Sequence, residues 1–193
     1  MNDIFTARSV LLTLSYLKKG KWDEMYSYIK EKRPLSKELK EEAEQNTKAN
    51  YITIVDENYP DCLKDIYKPP FILYYYGNLS LLSERYRLTA IGSRRPTIYQ
   101  SDTCYRLIKE LEIKTEKKVV IISGMAKGID STVMKAAMEI EAPIISVIGS
   151  GIDKPYPTDN DGIYDYCKSG KGLVLSEYPL SENAKPQNFL FRN

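Results

Sequence analysis

The sequence predicts an α/β fold built on a doubly wound, mostly parallel sheet, with a small helical part at the N-terminus. Three observations lead to this prediction. Short β-branched runs alternate with helical stretches from residue 51 onward, four of these runs are apolar throughout, and each of the four ends in a small, polar or glycine-bearing turn. Uninterrupted apolar runs are typical of parallel strands covered on both faces, and the strand–helix alternation is typical of right-handed crossovers.

The N-terminal part is predicted to be helical. Apolar residues recur at about 3.6-residue spacing over residues 4–30, with Gly20 between two such stretches, which predicts a helical hairpin. Residues 36–48 form a charged helix with few side chains to bury, typical of a solvated connector. We therefore expect a helical region at 1–48 and an α/β domain at 49–193.

The α/β part is predicted to contain six strands and three longer helices. The strands are predicted at 52–55, 71–76, 88–91, 119–122, 144–148 and 173–175, and the helices at 97–112, 130–141 and 160–169. The last four strands and the three helices alternate as β-α-β-α-β-α-β, which is the doubly wound order.

The composition excludes several kinds of chemistry. The chain of 193 residues has no histidine, so it lacks Ser-His-Asp or Cys-His catalysis and His-ligated zinc. Cys62, Cys104 and Cys167 include no CxxC pair and are expected to be reduced thiols. Neither a GxGxxG nor a GxxxxGK[ST] fingerprint occurs. We expect no metal and no cofactor, and any activity would have to use carboxylates, lysines, hydroxyls or backbone amides.

The N-terminal sequence carries no recognisable targeting signal. Its most apolar stretch, residues 10–17, ends at Lys18 and is far shorter than the roughly 20 residues of a membrane span. We therefore expect a cytoplasmic protein with no membrane segment. The formal net charge of +2 indicates that any polyanion would be bound by locally placed cations.

The turns after the four apolar strands predict one binding site, because the carboxyl ends of parallel strands meet at the same edge of a sheet. Glycines in such turns let backbone amides approach an anion, and a helix N-terminus adds partial positive charge. The alternative is that the glycines only permit tight turns. The predicted phosphate-binding residues are Gly92, Ser93, Arg94, Ser123, Gly124, Lys127, Gly128, Gly149 and Gly151.

For the carboxylates and tyrosines near these turns, the sequence allows a structural role as well as a functional one. Asp130 is expected to cap the helix that begins at residue 131. Asp153 and Glu177 follow neighbouring strands and form either an acid–base pair or two carboxylates that hold backbone amides. Among 16 tyrosines, Tyr156 is a candidate for stacking on unpaired bases, whereas the run at 74–76 is typical of a strand.

The motifs taken together resemble the DprA/Smf family of DNA-processing proteins. The resemblance covers residues 51–193. The matching motifs are Tyr59-Pro60, Pro69-Pro70, Gly77-Asn78, Ala90-Ile91-Gly92-Ser93-Arg94, Ser123-Gly124-Met125-Ala126-Lys127-Gly128-Ile129-Asp130, Gly149-Ser150-Gly151-Ile152-Asp153, Tyr156-Pro157, Ser176-Glu177-Tyr178-Pro179 and Arg192-Asn193.

This resemblance implies a Rossmann-like domain that binds single-stranded DNA without catalysis. It further implies a homodimer of natural transformation and DNA recombination that protects incoming strands and loads the RecA recombinase. Ser93, Arg94 and Lys127 match the DNA contacts of the family. The family domain continues past Arg192-Asn193, so the resemblance implies that its C-terminal end is missing here.

Two other functions remain open on the sequence. The same superfold hosts enzymes and sensors that bind nucleotides or nucleoside phosphates at this edge, although their Pro-Gly-Gly-x-Gly-Thr loop is absent here. The third possibility is a truncated homologue that serves as an interaction module.

Overall fold

A mixed sheet of six strands organises the part of the chain that the computed structural model describes, residues 6–192, with side chains for residues 6–190. The strands are β1 (Asn50–Thr53), β2 (Ile72–Gly77), β3 (Arg87–Thr89), β4 (Val120–Ser123), β5 (Ile144–Ile148) and β6 (Gly172–Ser176). Their order across the sheet is β1-β2-β6-β5-β4-β3. Strands β3 to β6 are parallel to one another, β2 pairs antiparallel with β6, and β1 pairs antiparallel with β2. The predicted α/β class with a mostly parallel, Rossmann-like sheet is confirmed.

The helices alternate with the parallel strands as the sequence predicts. In the described residues the α-helices are α1 (Ala7–Lys18), α2 (Trp22–Lys30), α3 (Lys37–Asn46), α4 (Asp61–Lys64), α5 (Ile98–Lys114), α6 (Ile129–Glu139), α7 (Asp161–Tyr166) and α8 (Pro186–Arg192). Shorter elements are the 3-10 helices Leu79–Ser83 and Thr158–Asn160 and a π-helical turn at Cys167–Lys171.

Local sequence signals explain where the helices begin. Thr97 starts α5 with a capping box, because its hydroxyl accepts the Gln100 amide at 3.2 Å while the Gln100 side chain accepts the Thr97 amide at 2.9 Å. Ser36 caps α3 in the same way by accepting the Leu39 amide at 3.2 Å. Each cap satisfies a backbone donor that the first helical turn leaves unpaired.

The main core lies on one face of the sheet, where α5, α6 and α7 pack together. Ile108 of α5, Val133 of α6 and Ile163 of α7 belong to the same buried cluster as Ile121 of β4 and Ile144 of β5. The strands β3 to β6 are neighbours in chain order, so right-handed crossovers bring all three helices to this face. The three crossover helices therefore lie on one face in the described part of the chain, which differs from the expected winding on both faces.

The 3-10 helix at Leu79–Ser83 packs on the opposite face of the sheet. Leu81 of this helix is buried against Val120, Ile145 and Leu173. Alternate residues of the same strands thus serve two cores, which explains why β4 to β6 are mostly apolar and do not alternate with polar residues.

Strand β3 corrects one expectation. The run at 88–91 was expected to be covered on both faces, but all three residues of β3 are exposed and Ile91 beyond it is 64% exposed. The reason is position, since β3 is the edge strand and pairs with β4 alone among the described strands.

The N-terminal helices pack directly on the α/β part. Leu12 of α1 is buried in the main core, and the Tyr74 hydroxyl of β2 donates to the Ser15 hydroxyl at 3.0 Å. Arg8 forms an ion pair with Asp56. The predicted hairpin is confirmed as α1 and α2, whereas Ile4 and Phe5 lie outside the described residues. The division near residue 49 stays a prediction.

The three cysteines, Cys62, Cys104 and Cys167, are free thiols, and only Cys167 among them is buried. Between residues 6 and 192, the structure has no helix with the length and apolar character that a bilayer crossing requires.

Candidate nucleic-acid interface

The turns after the parallel strands lie at one edge of the sheet, as predicted. We call residues 91–96 after β3 the Ser-Arg loop, residues 124–128 after β4 the Lys127 loop, and residues 179–189 after β6 the closing segment. Residues 91–95 of the Ser-Arg loop are all exposed. This edge carries the predicted site residues.

The Ser-Arg loop and the Lys127 loop are in direct backbone contact at Gly128. A side chain at Gly128 would collide with the Ser93 carbonyl oxygen and lie 2.8 Å from the Arg94 carbonyl carbon. Gly128 also has φ +85° and ψ −130°, a conformation that side chains other than glycine rarely adopt. This glycine therefore brings the backbones that carry Arg94 and Lys127 together.

The first amides of α6 are already engaged within the protein. The Ile129 amide donates to the Ser93 carbonyl at 3.0 Å, and the Ser131 and Thr132 amides donate to the Ala126 and Gly128 carbonyls at 3.1 and 3.0 Å. A phosphate could use the Ile129 amide only by displacing the Ser-Arg loop, and the Ser131 and Thr132 amides only by breaking hydrogen bonds to the Lys127 loop. The positive charge of the site therefore comes from cationic side chains more than from a helix N-terminus.

Arg94 extends from the Ser-Arg loop over an aromatic surface. Its guanidinium carbon lies 5.5 Å from the centre of the Phe189 ring, which is a cation–π distance. The ring of Tyr156 lies next to Phe189, with 5.9 Å between the centroids, and Tyr156 is 53% exposed. One arginine and two aromatic rings thus form a continuous surface at this edge.

Lys127 adds a second cation from the neighbouring loop. Its side chain is 59% exposed, and its ammonium forms an ion pair with Asp159, with 2.5 Å between Nζ and Oδ2. The hydrogen bond from Lys127 lowers the pKa of Asp159, and the hydrogen bond to Asp159 raises the pKa of Lys127. Both groups are therefore charged at neutral pH.

Ser123 and Gly124 lie beneath this surface. Ser123 is 2% exposed, and its hydroxyl donates to the Ala90 carbonyl at 2.7 Å. Gly124 is buried as well. Ser123 thus joins the end of β4 to the residue before the Ser-Arg loop, and both Ser123 and Gly124 are buried beneath the surface.

Gly149 and Gly151 are covered by the closing segment. A side chain at Gly149 would lie 2.9 Å from the Phe189 ring, and the Gly151 amide donates to the Glu182 carbonyl at 2.7 Å. Asn188 fixes the segment through a 3.1 Å hydrogen bond from its side-chain amide to the Gly149 carbonyl. The glycines permit this close packing, a role that differs from both sequence explanations, phosphate binding and tight turns.

Asp130 requires a correction, because it does not cap α6. The helix begins at Ile129, with Gly128 at the N-cap position, so Asp130 lies inside the first turn. Its buried carboxylate instead accepts the Gly92 amide, at 3.4 Å. Asp130 therefore connects the Ser-Arg loop to α6, and its negative charge interacts favourably with the positive N-terminal end of that helix.

Asp153 and Glu177 have different neighbours. Asp153 accepts the Ser181 amide at 2.7 Å and so holds the closing segment, as expected for a loop carboxylate. Burial raises the pKa of Glu177 to about 7, and this carboxyl lies near Tyr59 and Tyr178. The two residues have separate structural environments.

Three residues of this edge were not assigned to the site from sequence. Arg95 is exposed next to Arg94, and two consecutive arginines in a loop could have indicated from sequence that both belong to the site. Phe189 and Asp159 have no such signal, since only the fold brings the closing segment and the 3-10 helix at Thr158–Asn160 to the two loops.

Acidic residues and thiols do not gather into a metal site in the described part of the chain. Residues 6–192 include no group of three or more Cys, Asp or Glu side chains arranged to hold an ion. The chemistry that this edge offers is the binding of an anion by two or three cations beside two aromatic rings.

Comparison with protein families and curated sequences finds relatives named as DNA-processing proteins. The family model described as DNA recombination-mediator protein A matches residues 50–193. The DNA processing protein DprA of Streptococcus pneumoniae (strain ATCC BAA-255 / R6) is 38% identical over 141 residues, which are 73% of this chain and 48% of that protein. DprA of Bacillus subtilis (strain 168) is 34% identical over 144 residues, or 75% and 47% of the two chains. The chain thus spans about half the length of these curated relatives.

Two solved structures have a similar fold. The X-ray structure of DprA from Streptococcus pneumoniae superposes with a TM-score of 0.69 at 29% identity, covering 97% of this chain and 68% of that one. DprA from Helicobacter pylori, whose structure describes a single-stranded DNA binding mode, superposes with a TM-score of 0.63 at 31% identity, covering 75% and 63%.

Proposed function

Because the chain belongs to the DNA recombination-mediator protein A family, we propose that it binds single-stranded DNA during DNA processing in natural transformation. The contact of the Ser-Arg and Lys127 loops, which gathers Arg94 and Lys127 beside Phe189 and Tyr156, is the observation that supports this function best. The DNA-binding mode described for the Helicobacter pylori relative supports the same ligand.

The proposed binding mode has two components. Arg94 and Lys127 contact consecutive backbone phosphates through charge-assisted hydrogen bonds, and Arg95 adds positive charge. Unpaired bases lie against the exposed aromatic surface of Tyr156. A duplex cannot make this contact, because its bases are stacked inside the helix. Phosphate and stacking contacts provide affinity with little sequence preference.

Several finer roles follow from the family and belong to the same proposal. The protein protects incoming strands, helps to load the RecA recombinase and acts as a homodimer without catalysis. Ser93 supports the Ser-Arg loop, since its hydroxyl accepts the Arg95 amide at 3.1 Å. Gly92, Ser123, Gly124, Gly128, Gly149 and Gly151 then act by shaping the loops that present the cations.

A nucleotide-binding enzyme or sensor is the less favoured function. Such a protein would hold a phosphate on the first-turn amides of α6, but the Ile129 and Ser131 amides are bonded to the carbonyls of Ser93 and Ala126. Side-chain cations on an open edge suit an extended polyanion better than a small enclosed nucleotide.

The test is the affinity of single substitutions for a labelled oligo-dT, measured by fluorescence anisotropy. Arg94→Ala and Lys127→Ala should each weaken binding about tenfold or more, as expected for a lost charge-assisted phosphate contact. Lys171→Ala is the matched control, because Lys171 is 56% exposed and paired with Glu141 at the opposite edge of the sheet. Equal affinities for all three folded variants would overturn the proposed site.

A further inference from the structure

Resting on the proposed function, we infer that Asp159 sets the affinity of this protein for single strands by occupying the Lys127 ammonium where a phosphate binds. The ion pair is short, at 2.5 Å, and both partners are exposed to solvent, at 59% for Lys127 and 62% for Asp159. The carboxylate therefore offers Lys127 the same kind of charged oxygen that an incoming phosphate would offer.

The position of Asp159 is fixed by its neighbour in sequence. Asn160 is only 4% exposed, and its side-chain amide donates to the Met125 carbonyl at 2.9 Å and to the Ala126 carbonyl at 3.4 Å. These carbonyls belong to the Lys127 loop itself. The 3-10 helix that carries Asp159 is thus attached to the loop that carries its partner.

This attachment distinguishes the pair from most surface ion pairs. An exposed pair gains little net free energy because two long side chains must be ordered together. Here the backbone of Asp159 is already held beside Lys127, so less entropy is lost when the pair forms. A phosphate consequently competes with a carboxylate that remains close by even after it has been displaced.

The displaced carboxylate affects binding in two ways. It repels the phosphate that has replaced it, which lowers affinity. It also attracts a cation from solution while the DNA loses one, so the net release of counterions is smaller than for an unpaired lysine. Asp159 therefore lowers both the affinity and its dependence on salt, and it leaves Arg94 as the stronger of the two phosphate contacts.

The chain provides a matched control for this inference. Glu141 pairs with Lys171 at 2.8 Å, and the two side chains are 66% and 56% exposed, close to the values for Asp159 and Lys127. This second pair lies where β5 and β6 begin, at the edge opposite the two loops. Glu141→Gln removes the same charge from the protein without freeing a cation at the proposed site.

The experiment measures anisotropy of a labelled oligo-dT with wild type, Asp159→Asn, Glu141→Gln, Lys127→Ala and the double variant Lys127→Ala/Asp159→Asn, across a salt titration. Asp159→Asn should bind about three- to fivefold more tightly at low salt, the scale of one surface charge pair. Its log–log salt slope should be steeper than that of wild type by up to about 0.7. The gain should be less than half as large when Lys127 is absent, and Glu141→Gln should match wild type.

The outcomes separate this inference from the function on which it rests. If wild type binds but Asp159→Asn binds equally or more weakly, Asp159 does not compete with phosphate, and weaker binding would mean that it orients Lys127 instead. An equal gain in the Glu141→Gln variant would reduce the effect to net charge and also overturn the inference. If neither wild type nor Asp159→Asn binds while circular dichroism shows folded protein, the proposed function fails and the inference fails with it.

Discussion

Glu112 should make the folding stability of this protein fall as the pH rises from about 4.5 to about 7. This residue of α5 is fully buried, and neither oxygen of its carboxyl has a hydrogen-bond partner among the described residues. Burial raises the pKa of Glu112 from its ordinary value of 4.5 to about 7, and an interaction with the Val119 backbone amide opposes this shift. A carboxylate in this position would have only the Val119 amide to stabilise its charge, which does not offset the loss of hydration.

The sign and size of the effect follow from proton linkage. Between pH 4.5 and 7 the folded protein retains the Glu112 proton while the unfolded chain releases it, so the free energy of unfolding decreases as the pH rises. The contribution of Glu112 to the free energy of unfolding is fully present below about pH 4.5 and is lost above about pH 7. A shift of this size corresponds to roughly 3 kcal/mol in full, of which roughly 2 kcal/mol should be lost between pH 5 and pH 8.

The assay is urea unfolding of wild type and Glu112→Gln at pH 5 and pH 8. Glutamine has the shape of the protonated carboxyl and does not ionise, so the variant should gain roughly 2 kcal/mol relative to wild type as the pH rises across this interval. Glu110→Gln is the control, because Glu110 lies on the exposed side of the same helix beside Lys114. A stability difference between Glu112→Gln and wild type that is the same at both pH values would contradict the reasoning.

Three further predictions concern a loop glycine, an aromatic contact of Arg94 and the need for metal ions. Gly128→Ala should lower the free energy of unfolding by about 1 to 3 kcal/mol in urea, because of its positive φ and its contact with Ser93, whereas Gly162→Ala, with open space around it, should not. Phe189→Leu should weaken oligo-dT binding by about two- to fivefold in an anisotropy assay through loss of the Arg94 cation–π contact, and the same substitution should have little effect in an Arg94→Ala background. Adding EDTA should leave the oligo-dT affinity unchanged, because the proposed phosphate contacts are made by cationic side chains.

The parallel part of the fold could be predicted because burial on both faces leaves a direct mark on the sequence. Val120, Ile145 and Leu173 serve one core while Ile121 and Ile144 serve the other, so the runs are apolar without alternation. The exposure of β3 could not be predicted, because its apolar residues resemble those of the central strands. Position at the edge of a sheet depends on pairing and not on residue type.

The two cations of the candidate site could be predicted from the sequence, but the burial of its glycine turns and the position of Asp159 could not. Arg94 and Lys127 follow two strands that the sequence places side by side, and the structure brings their loops into contact through Gly128. The burial of Gly149 depends on the closing segment, which is about 40 residues further along the chain. The position of Asp159 likewise depends on a buried hydrogen bond from Asn160 to Met125.

The expected cap at Asp130 shows how a local rule is overridden by tertiary contact. Aspartate is a favoured N-cap residue, so its place before an apolar run predicted a helix start at residue 131. The helix begins two residues earlier because the Ile129 amide has a partner in the Ser93 carbonyl, which takes the place of a capping side chain. The carboxylate of Asp130 is then available for the Gly92 amide.

Binding of a labelled oligo-dT and of a matched duplex, each titrated with salt against wild type and the Arg94→Ala/Lys127→Ala double variant, tests the proposed interface most directly. We predict a clear preference for the single strand and a log–log salt slope of about −0.7 per phosphate contact, with a shallower slope for the double variant. Duplex binding as tight as single-strand binding, or a slope that the double variant leaves unchanged, would contradict an interface formed by Arg94, Lys127 and the adjoining aromatic rings.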